Sequence, residues 1–421
     1  MNTAFTIVAK NYIGLAKILM ESFLEKNAGS EFYIFVADDY EADSACIINS
    51  KNVLNISVQS WTEMAFKYNL TEFCTAIKPL CFEYLSMKGY DKMIYLDPDC
   101  YVFDEFRYIY DLLEKHSYVV TPHITKPEFC ERTNIPDKVF LQSGIFNLGF
   151  LAIKANELTN EMISWWKNHL LYACFDDVLF YTFTDQKWMN FLPSFYSNEE
   201  LYSSQHLGLN VAPWNYSERY IYQKDNVFYV QYRTLRSGIE NETYKLIFAH
   251  FSGFDYKGMA NGVVSRNRRS IYDYHEDNVL LLDYYSKIIK SKSETFLKYI
   301  DLQYEYATYA NGDKIDTFHR RLYRKLLDNE VMIENPFSTK EWFYNRILKM
   351  GMITNNSMDK ITPSNVSNVD LKLKIFTKLM RGVYKMIGYK KYLHLLKLLK
   401  HFSRYESQVF LLDNKMSEKI L

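Results

Sequence analysis

The stretch Lys92–Asp99, KMIYLDPD, decides the fold. Its first five residues form a short apolar run that is typical of a buried strand and ends in a polar turn. Asp97 and Asp99 follow directly, and the ring of Pro98 fixes the backbone between them. Two carboxylates in this spacing can bind Mn²⁺ or Mg²⁺, and through the ion a diphosphate. The alternative interpretation is an ordinary polar turn at the end of a strand.

Similar apolar runs alternate with helical patterns through residues 1–270. Helices are predicted for Asn11–Lys26 and for Thr75–Lys88, with Pro79 near the start of the second. This alternation predicts an α/β domain with a parallel or mixed sheet and flanking helices, in which ligands bind at the carboxyl ends of the strands. The predicted strands cover residues 4–9, 32–36, 53–58, 92–96, 118–122, 149–153 and 246–250.

The character of the sequence changes near residue 270. Residues 271–421 show mainly helical periodicity, so we predict an α/β domain over 1–270 and a mainly helical C-terminal region over 271–421.

Charge and cysteine usage exclude several classes of protein. The chain has 50 Lys and Arg and 50 Asp and Glu, so its formal net charge is zero and nothing predicts a nucleic acid partner. The six cysteines form no CxxC pair and no zinc-like spacing, which favours reduced thiols in a cytoplasmic protein. No signal peptide and no run long enough to span a membrane is visible, so we expect neither.

A histidine ends another predicted strand in the segment AHFSGF, residues 249–254. The neutral imidazole of His250 could complete a metal shell, although a satisfied, partly buried histidine is the alternative. Gly253 would let the backbone approach a phosphate closely, and Lys257 could meet a diphosphate as a point charge.

Two further segments place polar side chains where a sugar could bind. Asn147 interrupts the apolar run FNLGFLAI and could bind a sugar hydroxyl, or could simply form a turn before Gly149. Asp185 and Gln186 begin a predicted helix, where Asp185 would act either as a helix cap or as a ligand of a sugar hydroxyl. In the functional interpretation Gln186 lies beneath the anomeric carbon.

The segments YLDPD, FNLG, DQ and HFSG occur in this order between residues 95 and 253, and with them the sequence resembles glycosyltransferase family 8 and its bacterial relatives with the GT-A fold. The resemblance covers residues 1–258 and makes 1–270 a nucleotide-sugar-binding catalytic domain. It implies three metal ligands, namely Asp97, Asp99 and His250. It also implies that the donor contacts Ala9, Asn11, Tyr12, Lys78, Asp97, Asn147, Gly253 and Lys257, and that Asp185 and Gln186 are the catalytic pair.

The resemblance further implies transfer of a hexose or N-acetylhexosamine from a UDP-sugar to a glycan or lipid-linked glycan, with retention of anomeric configuration. The segment LNVAPWN, residues 209–215, resembles bacterial enzymes of polysaccharide clusters. An inverting enzyme is the alternative, with Asp176, Asp177 or Asp185 as general base. A sugar-nucleotidyltransferase is disfavoured because the loop after the first strand has Gly14 as its one glycine, and a non-catalytic carbohydrate-binding protein is disfavoured by the intact motifs.

The segment 371–404 is basic and carries no acidic residue. Leucines and other apolar residues alternate with its cations, so it could form amphipathic helices that lie on an anionic membrane surface. Such a peripheral contact at the inner face of the plasma membrane suits a lipid-linked acceptor, whereas packing on the catalytic domain is the alternative. The cations are Lys372, Lys374, Lys378, Arg381, Lys385, Lys390, Lys391, Lys397, Lys400 and Arg404.

Overall fold

The computed structural model describes residues 1–41, 44–127, 137–234, 242–265, 276–354 and 368–412. Its strands are β1 (Asn2–Val8), β2 (Glu31–Val36), β3 (Ile47–Asn49), β4 (Lys92–Leu96), β5 (Cys100–Val102), β6 (Tyr118–Pro122), β7 (Phe146–Lys154), β8 (Asp176–Asp177), β9 (Thr182–Phe183), β10 (Leu201–Ser203), β11 (Arg219–Lys224), β12 (Val227–Tyr232), β13 (Tyr244–Lys245) and β14 (Phe248–His250).

The α-helices are α1 (Ile13–Lys26), α2 (Ser50–Val53), α3 (Val58–Lys67), α4 (Leu70–Ala76), α5 (Lys78–Met87), α6 (Arg107–Lys115), α7 (Asp137–Ser143), α8 (Glu157–Ala173), α9 (Leu192–Phe195), α10 (Tyr256–Ala260), α11 (Glu276–Ser291), α12 (Ser293–Ile300), α13 (Thr317–Asp328), α14 (Trp342–Lys349) and α15 (Val369–Phe402). Short 3-10 helices cover Lys10–Tyr12, Val178–Phe180, Gln186–Phe191, Glu305–Ala307 and Glu406–Leu411.

A seven-stranded sheet organises the larger part of the molecule. Its order is β10-β6-β7-β4-β1-β2-β3, and β7 runs antiparallel to both of its neighbours while the other pairs are parallel. The predicted α/β class with a mixed sheet, flanking helices and a mainly helical C-terminal region is therefore confirmed. All five residues of β4 are buried, as expected for a central strand covered on both faces.

The predicted strand over residues 53–58 is wrong. Val53 ends α2 and Val58 begins α3, and the third strand along the chain is β3 instead. The hydroxyl of Ser57 accepts a hydrogen bond from the amide of Ser60 at 3.0 Å, which caps α3 and overrides the β-like pattern of valine and isoleucine.

The chain divides into two compact units. The first comprises Met1–Ile56 and Leu70–Tyr304, and the second comprises Ser57–Asn69 and Glu305–Leu421. The last division of the chain between the two units therefore follows Tyr304, whereas the domain boundary predicted from the sequence lies at residue 270. Helices α11 and α12 belong to the first unit because their apolar residues, such as Tyr285 and Phe296, share a buried cluster with Phe251 and Phe254.

Close packing in the first unit is visible where α1 meets α12. A Cβ on Gly14 would lie 2.7 Å from the Cα of Phe296, so only glycine allows this approach of the two helices. The ring of Phe251 stacks on that of Tyr285 with centroids 3.8 Å apart, which supports the residue that follows His250.

The second unit has its own core, in which Phe66 from α3 packs with residues of α13 and α14. Its ring meets those of Tyr323 and Phe343, and the guanidinium of Arg320 lies 2.7 Å from the carbonyl oxygen of Phe66. Val409 and Leu412, which follow α15, complete this core.

Predictions from the sequence also concern the cysteines and membrane-spanning segments. Cys46, Cys74, Cys81, Cys100 and Cys174 are free thiols, and Cys130 lies outside the described residues. Among the residues that the structure describes, no helix combines the length and the apolar character needed to cross a bilayer.

Candidate active site

The pairing of β5 with β14 brings the two ends of the motif set together. His250 lies opposite Cys100 in this antiparallel ladder, and the amide of Phe251 donates to the carbonyl of Asp99 at 2.8 Å. The turn between β4 and β5 holds the acidic pair, because the amide of Cys100 donates to the carbonyl of Asp97 at 3.0 Å. A strand that arrives 150 residues later in the chain therefore fixes His250 against the acidic turn.

The side chains of Asp97, Asp99 and His250 converge. His250 Nε2 lies 2.9 Å from Asp99 Oδ1 and 3.7 Å from Asp97 Oδ2. The hydroxyl of Tyr95 donates to Asp97 Oδ1 at 2.6 Å, and that of Tyr256 lies 3.3 Å from Asp99 Oδ2. The imidazole is 4% exposed while the carboxylates are 29% and 18% exposed, so the acidic side of the cluster remains open to a ligand.

The charges of the cluster shift one another's pKa values. Burial raises the pKa of Asp97, and Lys78 and His250 offset that rise only in part. Burial acts in the same direction on Asp99, but the charge of His250 and its hydrogen bond outweigh burial and hold the pKa of Asp99 below its ordinary value. Burial would lower the pKa of His250, yet Asp99 first and Asp97 second raise it above its ordinary value.

These residues fit a divalent cation. Two carboxylates and one imidazole nitrogen provide the oxygen and nitrogen ligands that Mn²⁺ accepts. Cys100 Sγ also lies near Asp99 and His250, with the ligand atoms of the three within 4.8 Å of one another. Burial raises the pKa of the Cys100 thiol well above its ordinary value, so the protonated sulfur is the poorer ligand and Asp97 is the better third member.

Glycine at position 149 makes room for the imidazole. A Cβ there would lie 2.4 Å from His250 Cε1 and 2.8 Å from Asn147 Oδ1. The carbonyl of Gly149 also accepts the amide of Asp97 at 2.8 Å, which ties the acidic turn to β7. The FNLG segment therefore contributes its glycine to the site as well as its asparagine.

Lys78 and Asp185 form a buried ion pair. Lys78 Nζ lies 2.5 Å from Asp185 Oδ2, 2.9 Å from the carbonyl oxygen of Leu148 and 3.9 Å from the ring centre of Tyr95. Both side chains are almost fully buried. Asp185 is the residue before the 3-10 helix Gln186–Phe191, but its carboxylate makes no capping hydrogen bond there because it is committed to Lys78.

Asn147 and Gln186 lie in one polar network. Asn147 Oδ1 accepts from the amide of Gly149 and from Asn210 Nδ2, while its Nδ2 lies 3.3 Å from Gln186 Oε1. Gln186 Oε1 also accepts from the amide of Leu148 at 3.1 Å, and its Nε2 donates to the carbonyl of Ser143. The two amides predicted to meet the donor sugar are thus held rigidly by their neighbours.

The N-terminal stretch predicted to contact the donor, residues 9–12, lies at the same edge of the sheet. Ala9 follows β1, and its carbonyl accepts the amide of Tyr12 at 2.9 Å. The ring of Tyr12 meets that of Tyr256 edge-on at 6.3 Å. Asn11 Oδ1 is buried and has no hydrogen-bond partner among the residues that the structure describes. Burial, followed by the charges of Asp99 and Asp255, raises the pKa of Tyr12, which places this tyrosine near one member of the acidic pair.

The two predicted phosphate contacts after His250 are placed differently. Gly253 has a φ of +79°, a conformation that favours glycine, in the turn that follows β14. Lys257 lies on α10, where its side chain is 52% exposed and its ammonium pairs with Asp301 at 2.5 Å. In this arrangement Gly253 shapes the turn, and Lys257 would have to leave Asp301 to reach a diphosphate.

Sequence reasoning missed four side chains of the site. Tyr95 stands inside the YLDPD motif, and Tyr256 follows HFSG closely. Asn210 binds Asn147, and Trp214 meets the ring of His250 at right angles with centroids 5.0 Å apart. The segment LNVAPWN supplied a signal for the last two, because its asparagine and tryptophan interrupt an apolar run.

His123 is a further buried member of this region. Its Nδ1 lies 3.2 Å from the carbonyl oxygen of Ile145 and its Nε2 lies 3.4 Å from Asn147 Nδ2. Burial lowers the pKa of His123 to about 4, so the ring is neutral and can accept from the amide of Asn147.

Residues 3–196 match the model of the protein family described as glycosyl transferase family 8. The chain is a family 8-like glycosyltransferase. The uncharacterized protein YfnF of Bacillus subtilis (strain 168) is 23% identical over 263 residues, which are 60% of this chain and 82% of YfnF.

Solved structures of glycosyltransferases resemble this chain with low sequence identity and low TM-scores. The galactosyltransferase LgtC, in complex with donor and acceptor sugar analogues, is 16% identical with a TM-score of 0.35, over 73% of this chain and 99% of LgtC. GlyE of Streptococcus pneumoniae TIGR4 is 16% identical with a TM-score of 0.29, over 49% of this chain and 45% of GlyE.

Proposed function

We propose that this glycosyltransferase moves a hexose or an N-acetylhexosamine from a UDP-sugar to a glycan or lipid-linked glycan, with Mn²⁺ or Mg²⁺ bound by Asp97, Asp99 and His250. The observation that carries the proposal is the approach of His250 Nε2 to Asp99 Oδ1 and Asp97 Oδ2, at 2.9 and 3.7 Å. Tyr12 lies close enough to Asp99 for the charge of this carboxylate to raise its pKa.

When bound, the cation would neutralise charge on the departing diphosphate. The chain's own residues position the reactants. The buried side-chain oxygen of Asn11 could accept a hydrogen bond from a nucleobase. The side-chain amides of Asn147, near the start of β7, and of Gln186 are held in fixed orientations by the hydrogen bond between them. Preorganised dipoles of this kind stabilise developing charge without reorganising during the reaction.

The surroundings of the candidate bases support a retaining reaction. A general base must be free to accept a proton from the acceptor hydroxyl. Asp185 is buried in an ion pair with Lys78, and Asp177 Oδ1 accepts the amides of Leu179 and Phe180 at 3.0 and 3.2 Å. Asp176 lies in the two-residue strand β8 beside Asp177, on the exposed side of that strand. A retaining enzyme needs no such base on the acceptor side, so the engagements of Asp185 and Asp177 favour retention over inversion with either of them as base.

The cellular setting proposed for the reaction is bacterial surface polysaccharide synthesis at the cytoplasmic face of the membrane. The resemblance of the LNVAPWN segment to bacterial enzymes of polysaccharide clusters supports the first part. The basic segment 371–404 supports the second part, as a peripheral contact with the membrane that would carry a lipid-linked acceptor.

A donor screen tests the proposal directly. UDP release is measured with a panel of UDP-hexoses and UDP-N-acetylhexosamines, with Mn²⁺ present or removed by a chelator. Asp99→Asn should reduce turnover by about 100-fold or more, because it removes charged ligation of the cation. Asp111→Asn is the matched control, since Asp111 is 73% exposed on α6. Full activity of Asp99→Asn, or turnover that is indifferent to the chelator, would reject the metal site.

A further inference from the structure

Helix α15 presents apolar side chains to solvent along its whole length. None of its residues is buried, and its backbone departs from helical geometry at Gly388, where φ is +73° and ψ is 171°. Its exposed apolar side chains reach 61% exposure at Leu379 and 80% at Met386. They are Leu371, Leu373, Ile375, Phe376, Leu379, Tyr384, Met386, Tyr389, Leu393, Leu396, Leu398, Leu399 and Phe402.

The sequence of α15 changes phase at Gly388. In a helix of about 3.6 residues per turn, two residues about 18 positions apart face the same direction, five turns apart. Lys374 and Lys378 correspond in this way to Tyr392 and Leu396. A continuous helix would therefore place the cations of its first half in line with the apolar residues of its second half.

The converse holds on the other side of the helix. Phe376 corresponds to His394, and Leu379 corresponds to Lys397. Each half thus has a stripe of cations and a stripe of apolar residues, and the two stripes exchange sides between the halves. An unbroken α15 would therefore have no continuous apolar face.

Each half taken alone is amphipathic. In the half before Gly388, Lys374, Lys378, Arg381 and Lys385 follow one another at spacings of four, three and four residues, which places them on one face.

The half after Gly388 repeats this arrangement. Lys390, His394, Lys397 and His401 have the same spacings, and Leu395, Leu396 and Leu399 fall outside their face. A stripe of cations beside a broad apolar stripe is the pattern of a helix that lies in a membrane interface.

The break at Gly388 resolves the change of phase. Its combination of φ and ψ lies in a region open almost only to glycine, so it redirects the chain between the halves. The rings of Tyr384 and Tyr392 meet across it, with centroids 5.3 Å apart. Because the helix is interrupted here, the second half can be rotated about its own axis relative to the first half. The apolar stripes of both halves can then face the same surface.

We propose that α15 is a jointed membrane-binding element, in which two amphipathic helices joined at Gly388 lie in the plane of an anionic bilayer surface. Charge selects this occupant, because residues 371–404 contain ten Lys and Arg and no acid. A second copy would bring a further ten like charges against the same stripes. An anionic leaflet accepts both the cations and the apolar side chains.

The inference rests on the membrane contact of the proposed function, and not on the chemistry of the metal site. Vesicle binding requires no turnover, so the two can fail separately. A chain that binds vesicles and releases no UDP counts against the catalytic proposal alone, while an active chain that ignores vesicles counts against the membrane proposal alone.

The experiment is cosedimentation of the full chain with vesicles of equal parts phosphatidylcholine and phosphatidylglycerol, compared with vesicles of phosphatidylcholine alone. Wild-type chain should partition to the anionic vesicles. Replacing Lys374, Lys378 and Arg381 with glutamine should weaken that partition by about 100-fold, since each cation near an anionic surface contributes about 5-fold. The matched control replaces the exposed lysines Lys51, Lys115 and Lys224 with glutamine and should leave partition unchanged.

The joint is tested by a pair of glycine variants. Gly388→Ala favours a continuous helix with its stripes on opposite sides, and should weaken partition by at least 10-fold. Gly382→Ala is the control, because a Cβ at either glycine would meet no atom within 4 Å and Gly382 has no positive φ. Equal partition of these two variants would overturn the joint. Triple glutamine variants that bind like wild type, or a wild-type chain that dimerises and ignores anionic vesicles, would overturn the membrane surface as the occupant.

Discussion

His250 holds a proton more tightly than an ordinary histidine because Asp99 and Asp97 raise its pKa against the effect of burial. A metal requires the lone pair of the neutral imidazole, so metal and proton compete for the same nitrogen. We therefore predict that Mn²⁺ binding releases a proton at pH values below the raised pKa of His250, and that Mn²⁺ affinity rises as the pH increases towards this pKa. Calorimetric titration in two buffers of different ionisation enthalpy measures the protons released.

The control for this prediction is His250→Asn, which should bind Mn²⁺ more weakly and should release no proton in the pH range of the histidine. Asp97 has a raised pKa too, so a smaller release from its carboxyl is expected at lower pH. Mn²⁺ affinity that stays unchanged as the pH rises above the ordinary pKa of histidine would contradict the assignment of His250 as a ligand.

Gly149 leaves the space that the imidazole of His250 occupies, and a single substitution tests this role. A Cβ there would stand 2.4 Å from His250 Cε1, so Gly149→Ala should push the imidazole away from the acidic pair. We predict a loss of at least about 10-fold in Mn²⁺ affinity, the range seen when the support of a metal ligand is removed. Gly382→Ala is the control without the crowding, since Gly382 likewise has no positive φ and nothing lies within 4 Å of its Cβ. Equal metal affinity in the two variants would show that the imidazole has room to move.

At the scale of elements, the Lys78–Asp185 pair ties the first turn of α5 to the segment before the 3-10 helix Gln186–Phe191. Both charges are buried, and neither can be relieved by water without opening the structure. We predict that Lys78→Met lowers the free energy of unfolding by about 3–5 kcal/mol, because Asp185 is left buried without its cation. The double variant Lys78→Met, Asp185→Leu should recover most of that loss, since an apolar pair replaces the ion pair.

Urea unfolding of the single and double variants measures both values. A double variant no more stable than Lys78→Met would mean that Asp185 is not the cause, and that the ammonium acts instead through the carbonyl of Leu148, which lies 2.9 Å from it. The exposed pair Lys26 and Glu25 offers a contrast, because Lys26→Met should change stability by less than about 1 kcal/mol.

Elements that lie wholly in the core could be predicted with their bounds from the sequence. The strand KMIYL is β4 to the residue, because every one of its side chains is buried and the chain turns polar where the strand ends. Residues 53–58 could not be assigned by the same logic, since a single hydroxyl on Ser57 decides between helix and strand there. Asp185 shows the limit for side chains, because only the fold brings Lys78 within reach of it.

The candidate site shows the same division between pattern and fold. Its acidic pair, histidine and amides were predicted from four short motifs, since each interrupts an apolar run. Tyr256 and Trp214 were not assigned, because they reach the site only through the path of the chain after β14 and before β11. The sequence predicts Gly149 as the first residue of a strand, whereas its part in the site depends on the imidazole of His250, which lies 101 residues further along the chain.

At the scale of the whole molecule, the second compact unit takes in a segment from early in the chain. Ser57–Asn69 belongs to the unit that otherwise begins at Glu305, and no local pattern in the sequence indicates this. The carbonyl oxygens of Ala65, Phe66 and Tyr68 lie 2.7 to 3.1 Å from Arg320 Nη1. An arginine on α13 therefore satisfies the backbone at the end of α3.

This arrangement predicts that residues 57–69 open together with residues 305–354 rather than with their neighbours in the chain. Groups that share a core exchange their amide hydrogens in common opening events. Hydrogen exchange followed by mass spectrometry in moderate urea should show one exchange rate for these two stretches and another for residues 44–56. Arg320→Met should speed the exchange of both stretches and lower stability by about 3 kcal/mol or more, because several buried carbonyls lose a charged donor. Arg107→Met, at a side chain 78% exposed on α6, should change neither. Two results together would contradict this prediction: residues 57–69 exchanging at the rate of residues 44–56, and residues 57–69 staying protected in Arg320→Met. The segment would then not open with the second unit, and the hydrogen bonds from Arg320 would not be what stabilises the end of α3.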